Sequence, residues 1–180
     1  MMILASGSPR RKELLKKVRK DFTIVVPSIN EDSLHFLPAK DLPLEESRLK
    51  AYSLANRYPD DEILACDTVV VLGSEILGKP KNKEDAKAML RMLSNKRHTV
   101  LSGYTYLSKG KEITRTVSTH VYFNELSEEQ IDDYLERFHP FDKAGSYGIQ
   151  DDFPLVHHIE GSFDNVMGLP TEDLLLHLPH

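Results

Sequence analysis

The sequence predicts a mixed α/β fold, a twisted sheet with flanking helices. Short apolar, β-branched runs alternate along the chain with segments of helical period. The longest such run, Ile63 to Leu72, is almost uniformly Ile, Leu, Ala and Val, as a strand covered on both faces must be, and is interrupted only by Cys66-Asp67-Thr68. Two runs rich in Thr, Val and Tyr, His98 to Leu107 and Ile113 to Phe123, flank Lys109-Gly110-Lys111 and predict a long hairpin.

Taken in order, Met2 to Ala5 reads as a buried strand and Ser6-Gly7-Ser8-Pro9 as its turn. Ser8 is placed to cap a helix with Pro9 at its first position and Leu14, Leu15 and Val18 on one face. Phe22 to Val26 is the second strand, followed by a polar, irregular stretch from Pro27 to Leu42. A helix over about Pro43 to Tyr58 carries Glu45 and Glu46 in its first turn, where the helix dipole favours acids. After Leu72, Gly73-Ser74 returns the chain into Ile76-Leu77, which Gly78-Lys79-Pro80 ends. Asn82 caps a helix to Leu93, and Ser127 to Gln130 forms a capping box for one ending near Arg137. Leu155 to Ile159 is the last strand, Gly161 to Pro170 a small-residue loop, and Thr171 to Leu178 a closing helix. The adjacent His157 and His158 are expected to face opposite ways along that strand. Residues 1–180 read as a single domain without repeat or linker.

At 180 residues, 40% apolar and 28% charged, the chain can bury a substantial core. No run reaches the roughly 18–20 apolar residues of a membrane span, and the start has no signal-peptide pattern, so membrane insertion and secretion are not expected. The lone cysteine, Cys66, permits no internal disulfide and no cysteine zinc cage, which suits a cytoplasmic location. Net charge is −5, yet residues 1–20 carry +6, leaving −11 elsewhere. A local basic cluster on an acidic chain suits a small polyanion better than a duplex, and no nucleic-acid partner is expected.

Several residues stand out chemically. Ser6, Ser8, Arg10 and Arg11 lie where a strand meets a helix N-terminus, an arrangement that binds phosphate or, alternatively, is a solvated basic turn. Asp67 puts a carboxylate into a buried strand, which is costly unless it is paired, hydrogen-bonded or ligating a metal. Lys79 is fixed between glycine and proline and reads equally as a solvated loop lysine; Lys50 sits on a helix and on local sequence alone reads as a surface lysine. Glu31 belongs to an acidic loop. The stretch Asp142 to Gln150 combines small residues with Gln150, whose amide can read a base, and Gly161 to Pro170 is a second loop able to approach a ligand. No His-Glu-x-x-His, Walker loop, dinucleotide fingerprint or Gly-x-Ser-x-Gly elbow is present.

In this order the segments resemble the Maf family of nucleoside triphosphate pyrophosphatases. The resemblance lies in Leu4-Ala5-Ser6-Gly7-Ser8-Pro9-Arg10-Arg11 with Glu13-Leu14-Leu15, Glu31, Leu49-Lys50-Ala51 and Asp67-Thr68-Val69-Val70. It continues through Ile76-Leu77-Gly78-Lys79-Pro80, Asp142 to Gln150, and Asn165 to Pro170. It implies an elongated fold of two lobes around a central cleft, similar to the inosine triphosphate pyrophosphatases, and often a homodimer. The implied reaction converts a nucleoside triphosphate to the monophosphate and pyrophosphate with a divalent cation, Mg²⁺ or Mn²⁺. Asp67 matches the family's proton acceptor; Glu31, Lys50 and Lys79 match its other active-site charges. Arg10, Thr68 and Gln150 match positions linked to substrate choice in the dTTP/UTP branch, and Thr68 favours that branch over the one acting on 7-methyl-GTP. Attack on the α-phosphorus needs neutralisation of the triphosphate, which Arg10, Lys50 and Lys79 supply, and hard oxygen ligands, which Glu31 and Asp67 offer. The same chemistry on another base, and a non-enzymatic regulator of cell division, are the alternatives.

Overall fold

A strand filled with apolar residues on both faces needs a layer on each side. The computed structural model, which describes residues 1–30 and 34–179, shows how the chain supplies them. The central strand β3 (Glu62–Leu72) is hydrogen-bonded along one edge to antiparallel β5 (Arg97–Ser108), from Ile63 opposite Leu107 to Val71 opposite Thr99. Its other edge is divided. β1 (Met2–Leu4) runs parallel beside Glu62 to Leu64, and β4 (Glu75–Leu77) runs antiparallel beside Val70 to Leu72. Between these, Ala65 to Val69 have no strand alongside on that edge among the described residues. β2 (Phe22–Ile24) pairs with β1, β6 (Lys111–Phe123) with β5, and β7 (Val156–Glu160) with β6. The sheet order is β2-β1-β3-β5-β6-β7, with β4 paired to β3. The mixed parallel and antiparallel pairing agrees with the α/β fold predicted.

Alternation along β3 sends its residues to two environments. Ile63, Ala65, Asp67, Val69 and Val71 face α2 (Leu42–Ala55), whose Ala51 and Leu54 pack with Ile63 and Ala65, and whose Leu42 packs with Val69 and Val71. On the opposite face there are two separate cores. Leu64 and Cys66 join Met2, Leu4, Tyr104 and Tyr106 with Leu14 and Leu15 of α1 (Pro9–Leu15) and Leu174 of α6 (Thr171–His177). Val70 and Val100 join Ala86, Leu90 and Leu93 of α3 (Lys83–Leu93) with Ile131, Tyr134 and Leu135 of α4 (Glu128–Phe138). The register leaves one pair between the two cores, Thr68 opposite Ser102, and both are hydroxyls.

The helix starts follow the capping residues. The Ser8, Asn82 and Ser127 side chains accept from the amides of Arg11, Asp85 and Gln130, and Ser127 and Gln130 complete the capping box. Two expectations are corrected. Within the stretch expected to be a loop, Phe163–Met167 forms a short helix, α5, begun by a Ser162 side chain that accepts from the Asn165 amide. His157 and His158 do not face opposite ways: Tyr122 pairs with His158 and Phe123 with Val156, so His157 is the extra residue of a bulge, and the two Nδ1 atoms lie 2.7 Å apart on the exposed side. Among the described residues no helix is long and apolar enough to cross a membrane.

The distance between α2 and the sheet is set at Gly103, which stands opposite Asp67 in the register. A Cβ there would lie 2.3 Å from the Leu44 main-chain nitrogen and 2.5 Å from the Pro43 carbonyl carbon. Because the obstruction is backbone, a side chain at 103 must push the helix away. Gly103→Ala is therefore expected to destabilise the protein by roughly 1–3 kcal/mol, measured by urea denaturation, and to lower activity further by moving α2; an unchanged midpoint would show that the helix is not seated this closely.

Candidate active site

The divided edge of β3 opens a cleft of about 1130 Å³. β1 ends beside Leu64 and the chain turns away through Ser6 to Arg11, while β4 leaves beyond Leu77 through Gly78 and Lys79. Such a crevice beyond a strand end, where neighbouring connections diverge, is the common ligand site of open α/β sheets.

Asp67 lies at this opening on the α2 side. Glu46 and Lys50, one helical turn apart on α2, reach it together. Lys50 Nζ donates to Asp67 Oδ1 at 3.0 Å, and both side chains are only 15% exposed. Glu46, 6% exposed, lies close enough to the same carboxyl to lower it. Burial pushes the Asp67 carboxyl up, but Glu46, the Lys50 ammonium and the nearby Arg11 guanidinium outweigh it and hold Asp67 below the ordinary carboxylate value. Asp67 is thus an anion at neutral pH although largely buried. Its neighbour Cys66 is a neutral thiol, because complete burial raises it and the Arg11 charge only partly opposes that.

Thr68 points to the other face of the sheet and approaches the cleft from the opposite side of the open edge. Arg11 meets it there. Arg11 Nη2 donates to Thr68 Oγ1 at 3.1 Å and Arg11 Nε to the Gly168 carbonyl at 2.7 Å. Gly168 holds φ at 123°, a conformation that favours glycine, and in it the carbonyl meets Arg11. The segment carrying Gly168 is itself tied to the turn that follows α1 by Lys17, which contacts both Asp164 oxygens at 2.8 and 3.0 Å.

Nine of the expected residues line this one cleft: Ser6, Ser8, Arg10, Arg11, Lys50, Asp67, Thr68, Lys79 and Gln150. Glu31 lies outside the described residues. The details alter several expectations. The Ser6 and Ser8 oxygens accept from the amides of Ser8 and Arg11, at 3.0 and 3.3 Å, so these serines shape the turn. Arg11 does not reach outward as a phosphate fork; its guanidinium grips Thr68 and Gly168. Lys50, which local sequence alone reads as a surface lysine, is the largely buried partner of Asp67. Lys79 and Gln150 stand exposed on the far wall, where the Gly145 amide donates to the Gly78 carbonyl at 3.1 Å and joins their loops.

Glu46 and Lys143 are additional lining residues that sequence reasoning did not single out. Lys143 Nζ lies 3.1 Å from one Asp142 oxygen, and Arg10 Nη1 lies 3.5 Å from the other, so an exposed carboxylate bridges cations from the two walls. The i, i+4 spacing of Glu46 and Lys50 was the one available signal for Glu46. Chemically, the cleft combines a fixed anion with cations on both sides and is large enough for a nucleotide-sized ligand. Asp67 and Glu46 are hard oxygen donors of the kind Mg²⁺ or Mn²⁺ takes, although no group of three His, Cys, Asp or Glu side chains could hold a metal among the described residues. A magnesium ion that keeps waters and takes phosphate oxygens fits such an incomplete set.

Comparison with known proteins adds the following. A family profile described as "Maf-like protein" matches residues 1–180. A protein of Cytophaga hutchinsonii named dTTP/UTP pyrophosphatase is 43% identical over 176 residues, covering 97% of this chain and 81% of the relative. One of the same name from Bacillus anthracis is 43% identical over 178 residues, covering 98% and 93%. Among solved structures, the Ham1 protein of Staphylococcus aureus is similar at a TM-score of 0.47 and 17% identity, covering 86% of this chain and 79% of that one.

Removal of the Lys50 ammonium leaves burial opposed by fewer partners, so Lys50→Met is expected to raise the Asp67 carboxyl titration, read by carbon-13 NMR. The sign for stability follows. With its folded value below the ordinary 3.8, Asp67 stabilises the protein above that pH and the contribution is lost as pH falls through the folded value. Lys50→Met should therefore lose less stability than the wild type on acidification through this range, and an unmoved Asp67 titration would contradict the pairing.

Proposed function

The chain belongs to the Maf-like protein family, and on that premise we propose that it is a nucleoside triphosphate pyrophosphatase acting on dTTP and UTP, releasing the monophosphate and pyrophosphate. The observation that carries the reading is the largely buried Lys50–Asp67 pair at 3.0 Å, set in a cleft whose walls also bear Arg10, Lys79 and Lys143.

Hydrolysis between the α- and β-phosphates needs an oriented water, neutralisation of charge that grows on the leaving pyrophosphate, and exclusion of other geometries. In this proposal Arg10, Lys79 and Lys143 draw the triphosphate into the cleft and balance its charge, displacing the Asp142 carboxylate from Arg10 and Lys143. Lys50 bridges Asp67 and the phosphates. Asp67 orients the water and accepts its proton as the new oxygen–phosphorus bond forms and the α–β bridging bond breaks. The lowered Asp67 value keeps the carboxylate ionised in the resting enzyme, as this role demands. Asp67 and Glu46, together with Glu31 as the family resemblance implies, would hold a divalent cation, which when bound supplies Lewis-acid neutralisation of the phosphate oxygens. Thr68 and Gln150 face the cleft where a base can be read.

The N-terminal basic cluster supports this reading over a nucleic-acid partner. Lys17 pairs with Asp164, Arg19 with Glu62 and Arg10 with Asp142, so acids from elsewhere in the chain balance half of the +6. Cys66, buried in the first core, suits a reducing compartment, and we place the enzyme in the cytoplasm.

Pyrophosphate release from UTP and dTTP is expected to fall by roughly 10²–10⁴-fold in Asp67→Asn while the circular dichroism spectrum and melting temperature are preserved. Excess chelator is expected to abolish release by the wild type, with recovery on adding Mg²⁺ or Mn²⁺. Full turnover in the variant would remove Asp67 from the reaction.

A further inference from the structure

Behind the cleft wall, on the face of β3 turned away from Asp67, Arg11, Thr68, Ser102 and Asn165 form a hydrogen-bonded chain. Arg11 Nη2 donates to Thr68 Oγ1 at 3.1 Å, the Thr68 and Ser102 hydroxyl oxygens lie 2.8 Å apart, and Ser102 Oγ stands 3.4 Å from the Asn165 carbonyl. Thr68 Oγ1 is also 3.4 Å from the Gly168 carbonyl. Both ends have a fixed sense, because a guanidinium only donates and a main-chain carbonyl only accepts.

Two hydroxyl protons must be distributed along this chain. If Thr68 donates to Ser102, Ser102 donates to Asn165. If Ser102 donates to Thr68, Thr68 donates to Gly168. In either sense both protons are taken up within the protein, and Thr68 has none left for a ligand. The sense in which Thr68 donates to Ser102 leaves one lone pair of this cleft-lining residue unused. Ser102 and Asn165 have no exposed surface, so solvent does not reset this polarity.

We propose that Arg11 and Ser102 are positioning residues that leave Thr68 without a proton to offer at the cleft wall and, in the sense in which it donates to Ser102, with a lone pair that accepts there. It thereby selects nucleobases that present an N–H donor over those that present a ring-nitrogen acceptor. Uracil and thymine share an imide N3–H; cytosine has a bare N3 acceptor at the same place. The selection is thus for UTP and dTTP against CTP, and it deepens the proposed function, on which it rests.

The test is the ratio of kcat/KM for UTP to that for CTP, which cancels the amount of folded enzyme. Ser102→Ala removes the partner 2.8 Å from Thr68 and leaves the threonine proton only the longer 3.4 Å contact with the Gly168 carbonyl, which an acceptor in the cleft can outcompete. The ratio is expected to fall about tenfold, with KM for CTP improving. Thr68→Val keeps the shape without the hydroxyl; it should lower the ratio by weakening UTP, with no gain for CTP. Arg11→Met should lower the ratio in the same direction, although it also releases Gly168. Ratios within twofold of wild type in both Ser102→Ala and Thr68→Val would overturn the inference while leaving the pyrophosphatase reading intact. No release from any nucleotide by the folded wild type would instead overturn that reading and this inference with it.

Discussion

A carboxylate in the middle of a buried strand is costly unless it is paired, and the architecture around Asp67 is organised by that requirement. The pairing comes from α2, which must approach closely for Lys50 and Glu46 to reach the carboxyl. Close approach requires that the residue opposite Asp67 have no side chain, and that residue is Gly103. The same pairing must remain open to a ligand. β1 and β4 meet the other edge of β3 at its two ends and leave Ala65 to Val69 uncovered between them. Charge, helix seating and sheet topology are therefore consequences of one another at this position.

The opposite face repeats the logic with neutral groups. Two apolar cores hold the two ends of the sheet, and where they stop, Thr68 and Ser102 satisfy each other and the ends of Arg11 and Asn165. A break between cores costs hydrophobic contact but creates room for a cleft. Because consecutive strand residues face opposite ways, Asp67 and Thr68 serve that cleft from two sides: one supplies charge and the other a hydrogen-bonding edge. Cations on separate elements, Arg10 on α1, Lys79 after β4 and Lys143 before the 3₁₀ turn Ala144–Ser146, complete a surface suited to a polyphosphate.

Much of this was legible in the sequence where the cause is local. Capping side chains marked the starts of three helices, and the Thr- and Val-rich runs marked the hairpin. Asp67 stood out because a charge interrupts an apolar strand. What escaped depends on tertiary contact. Glu46 looks like a first-turn acid favoured by the helix dipole; only the seating of α2 shows that it is buried on Asp67. Arg11 looks like a phosphate ligand, and its real partner, Gly168, is 157 positions away. Five-residue α5 is too short for a helical period to register, and the bulge at His157 leaves no mark in a pattern of alternating residues. The uncovered stretch of β3 emerges only from the register of three strands.

The central claim is that water held at Asp67 attacks the α-phosphorus. Both attack at the α-phosphorus and attack at the β-phosphorus give monophosphate and pyrophosphate, so product identity alone does not separate them. Hydrolysis of UTP in oxygen-18 water, followed by phosphorus-31 NMR, does. The account predicts that a single labelled oxygen enters the uridine monophosphate and none enters pyrophosphate. Label in the pyrophosphate, or release of orthophosphate as the first product, would contradict it.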